Sequence, residues 1–261
     1  MDGVIVRERI AGHPGVAELM LDRAEAMNAI NTAMAFRLAQ ACAELAKDRQ
    51  VHAVVLYGTG ARAFSVGADL KERNRMSDAD FLRQRPVFRA AFGALLGLPQ
   101  PVIAAVQATA TAAGCQLVAS CDLAVASQAA KFATPGVNIG LFCSTPMVAL
   151  SRNVSPKHAM EMLLTGESVS AEHAERIGLV NRVVAPGRER EEALNLARKI
   201  AGKSSLTVKI GKEAFYRQAE MPLADAYKYA SEVMVENMLA RDAEEGISAF
   251  IEKREPKWED R

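Results

Sequence analysis

Four cysteines in 261 residues are few, and the charge is almost cancelled, with 32 lysines and arginines against 31 aspartates and glutamates. Cys42, Cys115, Cys121 and Cys143 fall at irregular spacings without a C-x-x-C pair or a nearby histidine cluster. That argues against a metal site or a disulfide framework and for reduced thiols, as in a cytoplasmic protein or, if a targeting segment has been removed, an organelle matrix. The balanced charge gives no general attraction to nucleic acid or an anionic membrane, so any anion must be held locally. The opening MDGVIVRERI mixes charges with its apolar residues and lacks the apolar region of a secretory signal. One long run without charge exists, Gln100 to Cys121. Its glutamines and threonines and its scarcity of large aliphatics read as a packed segment and not a membrane span.

What is present is the composition of a folded domain, 50% hydrophobic and 24% charged, which excludes disorder and collagen. A chain of this length buries roughly 70 to 75% of its unfolded surface, so the core needs no staple. Val4 to Arg9 and Val16 to Leu21 read as a hairpin, and a helix rich in alanine follows a cap at Asn31 or Thr32. Val51 to Tyr57, Val102 to Val106 and Asp122 to Ala126 are short apolar runs, the pattern of strands buried on both faces of a partly parallel sheet. Helical spacing recurs over 72 to 98, where Pro86 predicts the opening of a second segment, and over Thr111 to Ser120. From Ser155 onward it is helical nearly throughout, and the charged tail with Trp258 reads as a surface tail. The class is α/β, one domain finished by helices.

Two loops stand out. G60-A-R-A-F-S-V-G-A-D69 follows a buried strand and precedes a helix; A112-A-G-C-Q116 does the same. Backbone amides at such junctions face outward and can donate to an anion or a polarised carbonyl, although taken alone the first loop reads first as a tight strand-to-helix turn, and plain helix packing accounts for the alanines of the second equally well. Neither has the spacing of a phosphate or dinucleotide fingerprint. If both loops converge on one oxygen, they form an oxyanion hole of main-chain donors.

Together with L21-D-R-A-E-A-M-N-A-I30, C121-D-L-A-V-A126 and G166-E-S-V-S-A-E-H-A-E-R-I-G-L-V-N-R-V183, these loops resemble the crotonase, or enoyl-CoA hydratase/isomerase, superfamily over almost the whole length. The resemblance implies a crotonase-like spiral of ββα units over 1–200 and a helical region over 201–261 that completes a homotrimer or dimer of trimers. It implies an acyl-CoA thioester as substrate, with coenzyme A part of that substrate and no separate cofactor. The oxyanion amides fall on Ala68 and Ala113. Asp69, Leu70 and Lys71 fall beside thioester and pantetheine, Gly114 and Pro135 line the substrate, and Ala26 lies at the nucleotide end. Glu25 stands where relatives often carry a base, which leaves Lys71, or Lys253 of the partner subunit, as candidates for the phosphate contact.

The catalytic glutamates of such hydratases fall on Gln116 and Gly136. Hydration needs a base for water and an acid at the α-carbon, each worth about 10² to 10⁴-fold, and neither residue exchanges protons near neutral pH. Ordinary hydratase activity is therefore expected to be poor or absent, and glutamate at both positions is expected to raise it. Asp69 is the nearest other carboxylate, with helix capping as its competing role. Cys143 and Ser144 fall on the far wall with no histidine in a motif that would activate them. Phe142 and Met147 fall on the acyl pocket or the core. Isomerisation, decarboxylation or C–C cleavage through an enolate remains open, and so does a noncatalytic acyl-CoA binder or scaffold.

Overall fold

A computed structural model describes residues 3–7 and 10–261. Its two sheets explain the apolar runs. The larger has the order β1 (Val4–Arg7), β2 (Val16–Leu21), β3 (Ala53–Gly58), β5 (Val102–Val106), β7 (Leu123–Ser127), β10 (Arg182–Val184), and the smaller β4 (Ala63–Ser65), β6 (Thr109–Thr111), β8 (Lys131–Ala133), β9 (Val169–Ser170). β1 pairs antiparallel with β2, as the hairpin reading requires, and the larger sheet is otherwise parallel; the part of that first run at 8–9 lies outside the described residues. Parallel strands need crossovers that cover both faces, which is why their residues are apolar throughout.

The chain gives one strand to each sheet and then a helix. β3 and β4 precede α2 (Leu70–Arg73) and α3 (Asp78–Leu96), β5 and β6 precede α4 (Ala113–Ser120), and β7 and β8 precede α5 (Ser144–Leu150) and α6 (Pro156–Thr165). On one face of the large sheet Val55, Ile103 and Val125 pack on Ala193, Leu194 and Ala197 of α8 (Glu189–Ala201). The other face holds the main core with α1 (Thr32–Lys47), α3 and α4. The uncharged run from Gln100 is spent on β5, β6 and α4, and among the described residues no helix is long and apolar enough to cross a membrane.

Two expectations are corrected. Pro86 does not open a segment: α3 runs through it from a capping box of Ser77 and Asp80. The missing N–H frees the carbonyl of Leu82, and Leu82 and Pro86 both lie on the exposed side, where water replaces the lost bond. From Ser155 onward the helical reading stands except for β9 and β10, which sit beside α7 (Ala171–Arg176) and α8. Strands of two and three residues are too short to show a period.

The tail is fastened and not free. Trp258 Nε1 donates to Gly202 O at 3.0 Å. Buried Asp242 accepts Glu259 N and Asp260 N at 2.8 and 3.1 Å, and Asp260 Oδ1 accepts Ser205 N at 2.7 Å, at the start of α9 (Ser205–Gln218). α10 (Leu223–Met238) and α11 (Arg241–Glu252) complete the C-terminal helices.

Candidate active site

The first loop, Val66 to Asp69, is set by a short parallel bridge. Ile30 N donates to Gly67 O at 2.7 Å and Asp69 N to Ile30 O at 2.9 Å. In a parallel bridge the residue between those two contacts turns its own amide the other way. That residue is Ala68, and its N–H has no hydrogen-bond partner among the described residues. Asn28, which the sequence reading did not single out, holds the bridge from beneath. It adopts φ 52°, and its side-chain amide donates to Thr59 O and Ala63 O at 2.9 and 3.2 Å.

The second loop places Ala112 between β6 and α4 at φ 50°, ψ −118°, a conformation that L residues rarely adopt. Such an outlier costs about 1 to 3 kcal/mol and persists only where its surroundings hold it. Here Ala112 N donates to Ala133 O at 2.9 Å and Gln116 N returns to Ala112 O at 3.0 Å. Ala113 is then the first residue of α4, so its N–H has no acceptor within the helix and none elsewhere among the described residues.

The loops touch because two residues lack a side chain. A Cβ on Gly67 would lie 2.9 Å from Ala112 Cβ and 3.0 Å from Ala113 N, and one on Gly114 would lie 2.1 Å from Ser65 O. Ser65 ties the first loop further, its hydroxyl donating to Asn28 O at 2.8 Å and accepting Gly67 N at 3.2 Å. Two free amides are thus carried on turns packed backbone to backbone.

Asp69 is fully engaged. Its Oδ1 caps α2 by accepting Lys71 N and Glu72 N at 3.0 and 3.1 Å, and its Oδ2 takes the Arg23 guanidinium at 3.1 Å. Burial pushes its pKa up, but those amides and Arg23 more than offset this and hold the carboxyl below its ordinary range. A carboxylate committed in this way is a helix cap and an ion-pair partner. Leu70 and Lys71 open α2 and are exposed. Lys71 and Arg75 share a groove of about 430 Å³ with Arg23, Asp69 and Glu72. The groove's acids are already paired or hydrogen-bonded, whereas the Lys71 and Arg75 side chains have no partner among the described residues. Ala26 lies in a 3₁₀ turn, Ala24–Ala26, over which Arg62 reaches to donate to Glu25 O at 3.3 Å. Arg62 therefore brings a cation to the place where Glu25 lacks one, a contact that spacing does not reveal.

Gln116 is half-buried, and its Oε1 is shielded from solvent with no hydrogen-bond partner among the described residues. Gly136 sits in a 3₁₀ turn, Pro135–Ile139, and is buried. A Cβ there would lie 2.5 Å from Leu141 O and 2.9 Å from Cys143 Sγ. The chain fills the volume that a side chain at 136 would need, so a glutamate there meets a main-chain atom.

Cys143 is buried, and Ser144 Oγ donates to Phe142 O at 3.3 Å. Three of the four histidines have partners elsewhere, His158 with Ser155 at 3.1 Å and with the His173 ring, His52 with Ala201 O at 3.3 Å, and His13 lies in the turn between β1 and β2, its Nδ1 buried without a hydrogen-bond partner among the described residues. Cys115 has its thiol pushed up to about 12 by burial, with Cys143 adding to the effect. Phe142 and Met147 are exposed and so do not belong to the core.

The profile of the enoyl-CoA hydratase/isomerase family matches residues 11–261. Human enoyl-CoA hydratase domain-containing protein 3, mitochondrial, is 43% identical over 247 residues, 94% of this chain and 80% of that protein. Its crystal structure superposes with a TM-score of 0.91 at 42% identity, covering 98% of this chain and all of the other. An enoyl-CoA hydratase structure from Mycobacterium smegmatis gives a TM-score of 0.93 at 48% identity, with 98% of each chain covered. The alternating two-sheet spiral with its C-terminal helices is the crotonase fold, and the chain belongs to the enoyl-CoA hydratase/isomerase family.

Proposed function

We propose that the protein binds acyl-coenzyme A thioesters and polarises the thioester carbonyl between the amides of Ala68 and Ala113, without hydrating enoyl thioesters at an enzymatic rate. One observation carries the reading: two amides without partners among the described residues stand on loops that touch only because Gly67 and Gly114 have no Cβ. Donors fixed in place before the ligand arrives need no reorganisation, and each oxyanion donor is worth about 3 to 4 kcal/mol. Charge drawn onto the oxygen stabilises an enolate and acidifies the α-carbon. Arg62, Lys71 and Arg75 are the cations available to the nucleotide phosphates, in place of a base at Glu25.

Proton transfer is the missing step. Gln116 is an amide, Gly136 has no side chain, and Asp69 is held by Arg23 and two main-chain amides. Losing two groups worth about 10² or more each predicts hydration at least about 10⁴-fold below that of a site with both carboxylates. Calorimetry with butyryl-CoA and crotonyl-CoA, beside the loss of crotonyl-CoA absorbance, tests both halves. Binding of both ligands without turnover is expected. No heat and no protection from thermal unfolding refute the site, and brisk hydration refutes the argument from missing carboxylates.

A homotrimer, or a dimer of trimers, is the assembly that the exposed C-terminal helices support. Leu239 and Phe250 are 82% and 85% exposed, with Leu223, Tyr227, Met234 and Ile251 also bare. A monomer rarely leaves so large an apolar surface to water. Sedimentation is expected to give a trimer or hexamer for the wild type and a smaller species for the Leu239→Glu, Phe250→Glu double variant. A monomeric wild type would contradict this assembly.

A further inference from the structure

We infer that Glu72 is a positioning residue for the Ala68 amide: it joins α2 to α1 and α3, and so fixes the angle at which that N–H meets a thioester oxygen. This rests on the acyl-CoA reading above and adds the residue that keeps one of its two donors in place. α2 has four residues, far fewer than a helix needs to hold itself together in water, so contacts with other segments set its position. Ala68 lies two residues before it and moves with it.

Both bonds of the bridge around Ala68 end on one residue, Ile30 N on Gly67 O at 2.7 Å and Asp69 N on Ile30 O at 2.9 Å. By themselves they leave a hinge about Ile30. Two residues further on, Thr32 N donates to the Glu72 carboxylate, 3.0 Å from Oε2 and 3.2 Å from Oε1. This third bond closes a ring between 30–32 and 67–72, which cannot swing without breaking a member. Arg23 braces Asp69 from the other side, at 3.1 Å. Thr32 is the first residue of α1, so its N–H has no acceptor in the helix and favours a carboxylate.

The carboxylate is itself held from α3. Gln84 is buried there, and its Nε2 donates to Glu72 Oε2 at 2.9 Å and to Thr32 Oγ1 at 2.7 Å, while its Oε1 accepts Arg85 Nη2 at 2.8 Å. Both protons and the oxygen of that amide are thus used, which makes the junction of three helices a satisfied and stiff polar network. Capping of α1 does not explain it, because Asn31 already caps that helix through Met34 N at 2.9 Å. Ion pairing does not explain it either. Lys71 and Arg75 border the same groove as Glu72, yet its bonds go to a main-chain amide and a neutral side chain.

The test is calorimetry of butyryl-CoA beside S-butyl-CoA, the thioether that lacks the carbonyl oxygen, with the wild type, Glu72→Ala and Glu72→Gln. Only the thioester uses the two amides, so the ratio of affinities isolates them; lost stability or a changed charge in the groove acts on both ligands alike. The wild type is expected to prefer the thioester about tenfold, as two net hydrogen bonds provide. In Glu72→Ala the ratio is expected to fall to about threefold or less, with one donor misplaced. Glu72→Gln is expected to fall between them, since it still accepts Thr32 N but turns a donor toward Gln84, and it carries the test if Glu72→Ala does not fold. The infrared carbonyl stretch of bound butyryl-CoA, labelled with carbon-13 at the thioester, is expected to rise in the same order. A ratio and a stretch unchanged from the wild type in a folded variant would overturn the inference and leave the acyl-CoA reading in place. A wild type that binds neither ligand, or both equally, would overturn the reading of the two amides, and the inference with it.

Discussion

Gly136→Glu is expected to destabilise the protein by about 3 kcal/mol or more and to give no gain in crotonyl-CoA hydration, alone or with Gln116→Glu. The Cβ would stand 2.5 Å from Leu141 O, a main-chain atom, and 2.9 Å from Cys143 Sγ. Leu141 N also donates to Gly136 O at 2.9 Å, so any retreat of Leu141 breaks a bond to the same residue. Overpacking of this kind costs about 1 to 3 kcal/mol, and a carboxylate buried without a partner adds to it. At about 2 to 4 °C per kcal/mol the melting temperature should fall by roughly 6 °C or more. Gly136→Ala separates the terms, since it brings the clash without the charge. A Gly136→Glu variant of wild-type stability that hydrates crotonyl-CoA would show that the loop yields easily. It would also restore the simpler expectation that two glutamates are all the site lacks.

Gly114→Ala is expected to have the largest effect on ligand binding, at least about a hundredfold weaker acyl-CoA affinity, together with a lower melting temperature. Its Cβ would lie 2.1 Å from Ser65 O, so the two turns must part. A misplacement of about 1 Å at a preorganised site is enough for a loss of that order. Gly211→Ala on α9 is the control. Nothing lies within 4 Å of its Cβ, and the helix gains about 0.5 to 1 kcal/mol from losing a glycine. Calorimetry and a melt of the two variants side by side check the contrast. Unchanged affinity in a folded Gly114→Ala protein would show that contact between the loops is not what places the two amides.

Much of the framework was legible because burial leaves a local mark. The apolar runs at 51–57 and 102–106 became β3 and β5, and the periodic stretch from Glu189 to Ala201 became α8, since a strand covered on both faces and a helix covered on one each repeat their pattern residue by residue. The cap was readable as Asn31 or Thr32, and Asn31 takes it, its side chain accepting Met34 N at 2.9 Å while Thr32 opens the helix. Other features leave no such mark. Whether Pro86 breaks a helix depends on whether Leu82 O faces water. Whether the tail is free depends on Asp242, a buried carboxylate 17 and 18 positions before the amides it receives. Arg62 and Asn28 act through main-chain carbonyls of other segments, which spacing in the sequence does not display.

The residues read in order were enough for the family, for the succession of β1, β2, β3, β5 and β7 and most of the helices, and for the residue types at the site: small residues in the two loops, an amide at 116 and no side chain at 136. Tertiary structure alone decided that Ala68 and Ala113 keep free amides on touching turns, that Asp69 is spent on Arg23 and α2, and that Leu141 and Cys143 crowd Gly136. The reason is one of range. Propensity and periodicity act over a few residues and are written along the chain, whereas a free N–H, a committed carboxylate or a filled volume is defined by what distant segments bring to within about 3 Å, the reach of a hydrogen bond.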